Sequence, residues 1–199
     1  MKTIKFLTPI FCALALSACV SNSNQTVATA SSQATESQST QTSEELFMAC
    51  FEGDISTVMF MLNKGFDLNI ADETGFTYLM YAAYNGHTEI IHLLLSKGAD
   101  ANTLNKEGRT ALMLASTSDS VDSVDALLKA GAEVNIIDTD EKFTALMFAA
   151  TEGKMDIVKL LLSVGANASL KDKDGDTAMS FATQAGHYEI AALLKGVTK

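Results

Sequence analysis

The strongest constraint on this chain is a motif that returns at nearly constant spacing. Thr77-Tyr78-Leu79-Met80-Tyr81-Ala82-Ala83 recurs as Thr110-Ala111-Leu112-Met113-Leu114-Ala115-Ser116 and again as Thr144-Ala145-Leu146-Met147-Phe148-Ala149-Ala150. A looser copy runs Thr177-Ala178-Met179-Ser180-Phe181-Ala182-Thr183, so the offsets are 33, 34 and 33 residues. A second marker keeps the same register. Gly65, Gly98, Gly131 and Gly165 each follow a leucine-rich run, and Asn69, Asn102, Asn135 and Ser169 lie four residues further on. No unit of this size buries its own apolar face, so stability has to come from stacking neighbours along one axis.

Each unit reads as two helices and a turn. The first helix carries small residues such as Ala82-Ala83 and Ala149-Ala150, which allow close approach. The second carries an apolar stripe, Ile90-Ile91-x-Leu93-Leu94-Leu95 or Ile157-Val158-x-Leu160-Leu161-Leu162. The glycine after each second helix supplies the left-handed residue that stops it. Asp72-x-x-Gly75, Asn105-x-x-Gly108 and Asp172-x-x-Gly175 are turn residues of a projecting finger before the next helix. The 33-residue period with its Thr-x-Leu-x-x-Ala core resembles the ankyrin family. The resemblance implies an all-α solenoid of about five helix–turn–helix units with β-turn fingers over residues 44–199. The units fall at about 44–70, 71–103, 104–136, 137–169 and 170–199. Residues 44–65 give two helices with no preceding finger, an N-terminal cap.

The first 43 residues have a different character, and the chain's one proline, Pro9, lies there. Lys2 and Lys5 precede an apolar run over residues 6–16, too short for a membrane span of about 20 residues. Leu16-Ser17-Ala18-Cys19 resembles a bacterial lipobox. This implies a signal peptide over residues 1–18 and lipidation of Cys19, with an ordinary cleaved signal peptide or an uncleaved anchor as the alternative. Residues 20–43 are almost entirely Ser, Thr, Gln, Asn and Ala and show neither a helical nor a strand period, so a disordered tether is expected there. Removing residues 1–18 takes away Lys2 and Lys5 and leaves 12 basic against 24 acidic residues, a net of −12. That charge disfavours nucleic acid and favours a basic protein partner. The expected location is the bacterial envelope, facing the periplasm. Val20 after Cys19, by resemblance to lipoprotein sorting in enteric bacteria, leans to the outer membrane. Membrane contact is expected through the lipid anchor only.

Several positions depart from the family pattern. Tyr78, Ala111, Ala145 and Ala178 stand where proline usually starts the first helix, and Met80, Met113, Met147 and Ser180 replace the usual histidine. In the third unit Asp119-Ser120 replaces the Gly-His pair of residues 86–87 and 186–187, and Ser123 replaces an isoleucine. The finger into the fourth unit has one extra residue within positions 137–142, either tolerated surface variation or a specialised contact.

Chemistry-bearing patterns are sparse. His87, His92 and His187 form no metal-ligand spacing. In the finger at residues 172–176, aligning Gly175 at position six of a calcium loop puts Leu170 and Phe181 where acids are required. Cys50 aligns with Ala83, Ser116, Ala150 and Thr183, a small buried position, and no histidine falls beside it in the repeat. The expectation is a non-enzymatic monomer without cofactor or metal.

Ankyrin stacks bind through finger tips and the open side of the first helices. The resemblance therefore implies a partner-binding face of Phe51 and Glu52 in the cap, then Glu73, Thr74, Phe76, Tyr84 and Asn85. The third unit adds Lys106, Glu107 and Arg109, and the fourth Asp140, Glu141, Phe143 and Glu152. Phe76, Tyr84 and Phe143 are either anchors for a partner or rings packed on neighbouring fingers. The implied function is protein–protein interaction. Its sharper forms are an inhibitor or immunity protein that masks an exported toxin or hydrolase, a protective accessory to an envelope enzyme, and an envelope adaptor.

Overall fold

The computed structural model describes the backbone of residues 33–197, with side chains from Ser43 onward. The leader, Cys19 and the start of the tether lie outside the described residues. The chain divides into two units, Met1–Thr40 and Gln41–Lys199, and the repeats occupy the second. Ten helices are present among the described residues, in five consecutive pairs: α1 (Gln33–Glu52) with α2 (Ile55–Asn63), α3 (Tyr78–Tyr84) with α4 (Thr88–Ser96), α5 (Ala111–Ala115) with α6 (Val121–Lys129), α7 (Ala145–Thr151) with α8 (Met155–Ser163), and α9 (Ala178–Gln184) with α10 (Tyr188–Val197). The first helices α3, α5, α7 and α9 pack in series, and α2, α4, α6 and α8 form a second row. This is the expected stack.

The tether expectation is corrected at its end. α1 begins at Gln33 rather than near Glu44. Residues 46–50 are fixed by burial of Leu46, Phe47, Ala49 and Cys50. Once that turn exists, each further residue adds a hydrogen bond without a new nucleus.

The recurrent threonine starts each first helix. Thr77, Thr110 and Thr144 are buried, and their hydroxyls accept the N–H of Met80, Met113 and Met147 at 3.2–3.3 Å. In the fifth unit the Ser180 hydroxyl also takes the Thr177 N–H, which completes a capping box. Met80, Met113 and Met147 are each 1% exposed, so the thioethers fill the core where the family expects histidine.

The second marker acts between units. Asn102 Oδ1 accepts the Glu133 N–H at 2.8 Å while its Nδ2 donates to the Gly131 carbonyl, and Asn135 does the same to Asn167 and Gly165. Asn69 accepts from Asp100. Ser169 stands in the fourth such place.

Histidine works backwards across the junctions. His87 Nε2 donates to the Phe51 carbonyl at 2.9 Å and His187 Nε2 to the Thr151 carbonyl at 3.1 Å. In the irregular third unit Ser120 takes the histidine's place. The hydroxyls of Thr88, Ser120 and Ser123 lie within 2.8–2.9 Å of one another, which satisfies the buried Ser123. Asp119 pairs with Lys154 of the next unit.

Candidate protein-binding face

The fingers are built by their leading acid or amide. Asp72 Oδ1 accepts the N–H of Thr74 and Phe76 at 2.8 and 2.9 Å, and Asn105 Oδ1 those of Glu107 and Arg109 at 3.0 and 2.8 Å. Asp138 holds Glu141 and Phe143, and Asp172 holds Asp174 and Asp176, in the same way. An antiparallel bridge, Ala71 to Thr77, closes the second finger at its base.

Neighbouring fingers are joined into a ladder. The N–H of Lys106 donates to the Thr74 carbonyl at 3.1 Å, that of Thr139 to Glu107 at 2.9 Å, and that of Lys173 to Glu141 at 3.0 Å. Glycine is needed for that approach. Gly75 and Gly108 have φ of +85° and +74°, and a Cβ on them would lie 2.8 and 2.7 Å from the backbone N of Lys106 and Thr139. The longer fourth finger has Lys142 at this point, with φ +61°, the one non-glycine residue of positive φ among those described.

On this scaffold the implied face divides into three groups. Glu52, Glu73, Asn85, Lys106 and Asp140 are exposed. Phe51, Thr74, Phe76, Tyr84, Glu107, Glu141 and Glu152 are half-buried, and several are already engaged. The Thr74 hydroxyl donates to Asp72, Asn85 Nδ2 donates to the Phe51 carbonyl, and Glu141 pairs with Lys173, whose pKa it raises.

Arg109 and Phe143 form the third group, and both expectations are corrected. Arg109 is buried: it pairs with Glu107 at 2.8 Å and Asp138 at 3.4 Å, and its guanidinium lies 5.4 Å from the centre of the Phe148 ring. Phe143 is 5% exposed, with ring centres 5.5 Å from Phe148 and 4.9 Å from Phe181. In both cases an aromatic ring on the next first helix roofs the position. Phe143 is therefore a packing residue, and a partner anchor has to be sought elsewhere.

Phe76 is the partial exception. It touches Tyr81 of its own unit at 5.3 Å, yet the third unit offers Leu114 where the fourth and fifth offer Phe148 and Phe181, so the ring stays half-open. Tyr81 also meets Phe47 at 5.5 Å and Phe51 at 6.2 Å, and its hydroxyl donates to Asp72 Oδ2 at 2.6 Å. Burial raises the pKa of Asp72. Hydrogen bonds from the Thr74 hydroxyl, the Tyr81 hydroxyl and the N–H groups of Phe76 and Thr74 outweigh this and hold the carboxyl below its ordinary range.

Two apolar residues of the same face were not anticipated. Leu104 and Ile137 stand immediately before Asn105 and Asp138 and are 51% and 44% exposed. Their rank in each unit, with Ala71 and Lys171 in the same row, was legible from the register; that the row points outward was not. Cys50 is fully buried, and desolvation pushes its thiol up to about 12, so it presents no thiolate near neutral pH. Among the described residues no group of three or more His, Cys, Asp or Glu is arranged to hold a metal ion, and no helix is long and apolar enough to cross a membrane.

A family model described as ankyrin repeats (3 copies) matches residues 46–138 and again 131–198, together most of the chain. No curated protein matches it.

Proposed function

Because the chain belongs to the ankyrin-repeat family, whose members generally bind other proteins and are not catalysts, we propose that it is a lipid-anchored, periplasm-facing module that holds a basic protein partner against its fingers and first helices. Unmatched acid on that face carries the reading. Of the basic groups there, Arg109, Lys154 and Lys173 are neutralised by Glu107 and Asp138, by Asp119 and by Glu141, and the exposed Lys106 is in no ion pair among the described residues. Glu52, Glu73, Asp140 and Glu152 are in no ion pair among the described residues. Leu104 and Ile137 supply exposed apolar area between those acids, and charge around an apolar centre is the composition of a selective docking surface. Lipidation at Cys19 and the outer-membrane location rest on the lipobox and Val20.

Masking an exported toxin or hydrolase is the form of this function that best suits a small acidic binder; the accessory and adaptor roles use the same face. The test is crosslinking and pulldown of the mature protein from its own envelope fraction. One partner should be captured by the native protein and lost when Glu73→Lys, Asp140→Lys and Leu104→Ser are combined. Undiminished capture by that folded variant would remove the face from the function. Radiolabelled palmitate should be incorporated by the native chain and not by Cys19→Ala.

A further inference from the structure

The loop after the first unit's second helix departs from its three later copies. In those copies the residue after the stop glycine is Ala99, Ala132 or Ala166. Its N–H donates to the carbonyl of Leu94, Leu127 or Leu161 at 2.9–3.0 Å, which closes the helix end. Phe66 stands in this place in the first unit, and its N–H makes no hydrogen bond among the described residues. The bridge to the next unit is looser as well. Asn69 Oδ1 accepts the Asp100 N–H at 3.3 Å, against 2.8 Å for Asn102 and Asn135 at the two later junctions. Asn102 and Asn135 also donate from Nδ2 to the carbonyls of Gly131 and Gly165, whereas Asn69 Nδ2 makes no such bond to Gly98 among the described residues.

Bulk accounts for the opening. Phe66 and Leu68 are half-buried where the second unit has Ala99 and Ala101, and side chains of that size hold the two loops apart. A groove of about 310 Å3 lies between them, at the lower end of the range of small-ligand sites. Leu62, Phe66 and Leu68 give it an apolar wall. Asn69 and Gly98 add an amide donor and a carbonyl acceptor. Asp67 and Lys97 line it with opposite charges, and neither is in an ion pair among the described residues. None of these residues belongs to the protein-binding face.

We propose that this groove is a second binding site, for a short apolar peptide with free ends. A peptide group carries one acceptor and one donor, the two partners that Asn69 Nδ2 and the Gly98 carbonyl do not find in each other. Its carbonyl accepts from Asn69 Nδ2 and its N–H donates to Gly98. The ammonium and carboxylate ends meet Asp67 and Lys97, and apolar side chains lie against Leu62, Phe66 and Leu68. The volume limits the ligand to about two or three residues. Other small amphiphiles match less of the groove. A fatty acid would leave Asp67 and the Gly98 carbonyl without a donor, and an apolar amine would leave Lys97 and Asn69 Nδ2 without an acceptor.

The probe is leucyl-leucine, titrated into the isotope-labelled mature protein and followed by NMR. The backbone amides of Phe66 and Gly98 and the side-chain amide of Asn69 should shift along one saturable curve, with a Kd of about 1 mM for so open a groove. Leucyl-leucine with acetylated and amidated ends should bind about fivefold more weakly or worse, and so should the free dipeptide on Lys97→Gln, a change at an exposed side chain. Phe66→Ala copies the later units and should lose the shifts, while combining Glu73→Lys, Asp140→Lys and Leu104→Ser should leave them intact. The proposal is overturned by the absence of a saturable shift up to about 10 mM, by equal binding of the end-blocked peptide, by full binding to Phe66→Ala or Lys97→Gln, or by shifts confined to the finger amides. None of these outcomes bears on the envelope pulldown, so the groove and the protein-binding face stand or fall separately.

Discussion

The second and third fingers share a backbone plan and differ in what closes over them. In the third, Arg109 is buried against a ring of the next unit between two carboxylates. In the second, Phe76 is in the same place and stays half-open because Leu114 replaces the next unit's ring. The fourth finger repeats the closed arrangement with Phe143 under Phe181. Whether a finger residue is available to a partner is thus set less by its own identity than by a residue 38 or 39 positions later, as Phe143 to Phe181 and Arg109 to Phe148 show. In this molecule the closed fingers stabilise the stack, and the second keeps its Phe76 ring half-exposed.

The largest effect should come from breaking the closed junction. Asp138→Ala removes the acceptor for the Glu141 and Phe143 N–H groups and one of the two carboxylates that neutralise Arg109. It should cost about 3 kcal/mol in urea or thermal unfolding. A loss below about 1 kcal/mol would mean that the junction contributes little.

The second finger should respond to pH instead. The Asp72 carboxyl is held below its ordinary range in the folded state, so its contribution is fully present above the unfolded value of about 4 and is lost as pH falls through the lower folded value. Asp72→Asn, which copies Asn105 of the third finger, should flatten the loss of stability below about pH 4. An unchanged acid limb in the variant would assign that limb to other carboxylates.

Cys50→Ala should cost less than about 1.5 kcal/mol, since Ala83 and Ala150 fill the same place in other units. Native Cys50 should resist thiol reagents until the protein unfolds, and Cys50→Ala should retain partner capture. The smallest expected change is a gain. Lys142→Gly relieves a left-handed lysine and should stabilise by about 1 kcal/mol, whereas the same replacement at Lys106 should not.

The helix pairs were legible because the Thr-x-Leu core and the glycine stops repeat in one register, and each copy corroborates the others. The bridging role of Asn69, Asn102 and Asn135 was visible as a period and acquires its cause only from the bonds to the following unit. The start of α1 was not legible, because a helix extended from a packed turn needs no apolar period of its own. Arg109 and Phe143 were misplaced because one unit's sequence does not show which ring of the next will cover it. Leu104 and Ile137 were passed over because they precede the turn motif used to mark each finger.

Neighbouring fingers are joined by backbone hydrogen bonds at three junctions, and amide hydrogen exchange followed by NMR reads that ladder directly. The amides of Lys106, Thr139 and Lys173 should exchange slowly although all three residues are exposed. Rapid exchange of these three amides in the folded protein would contradict it.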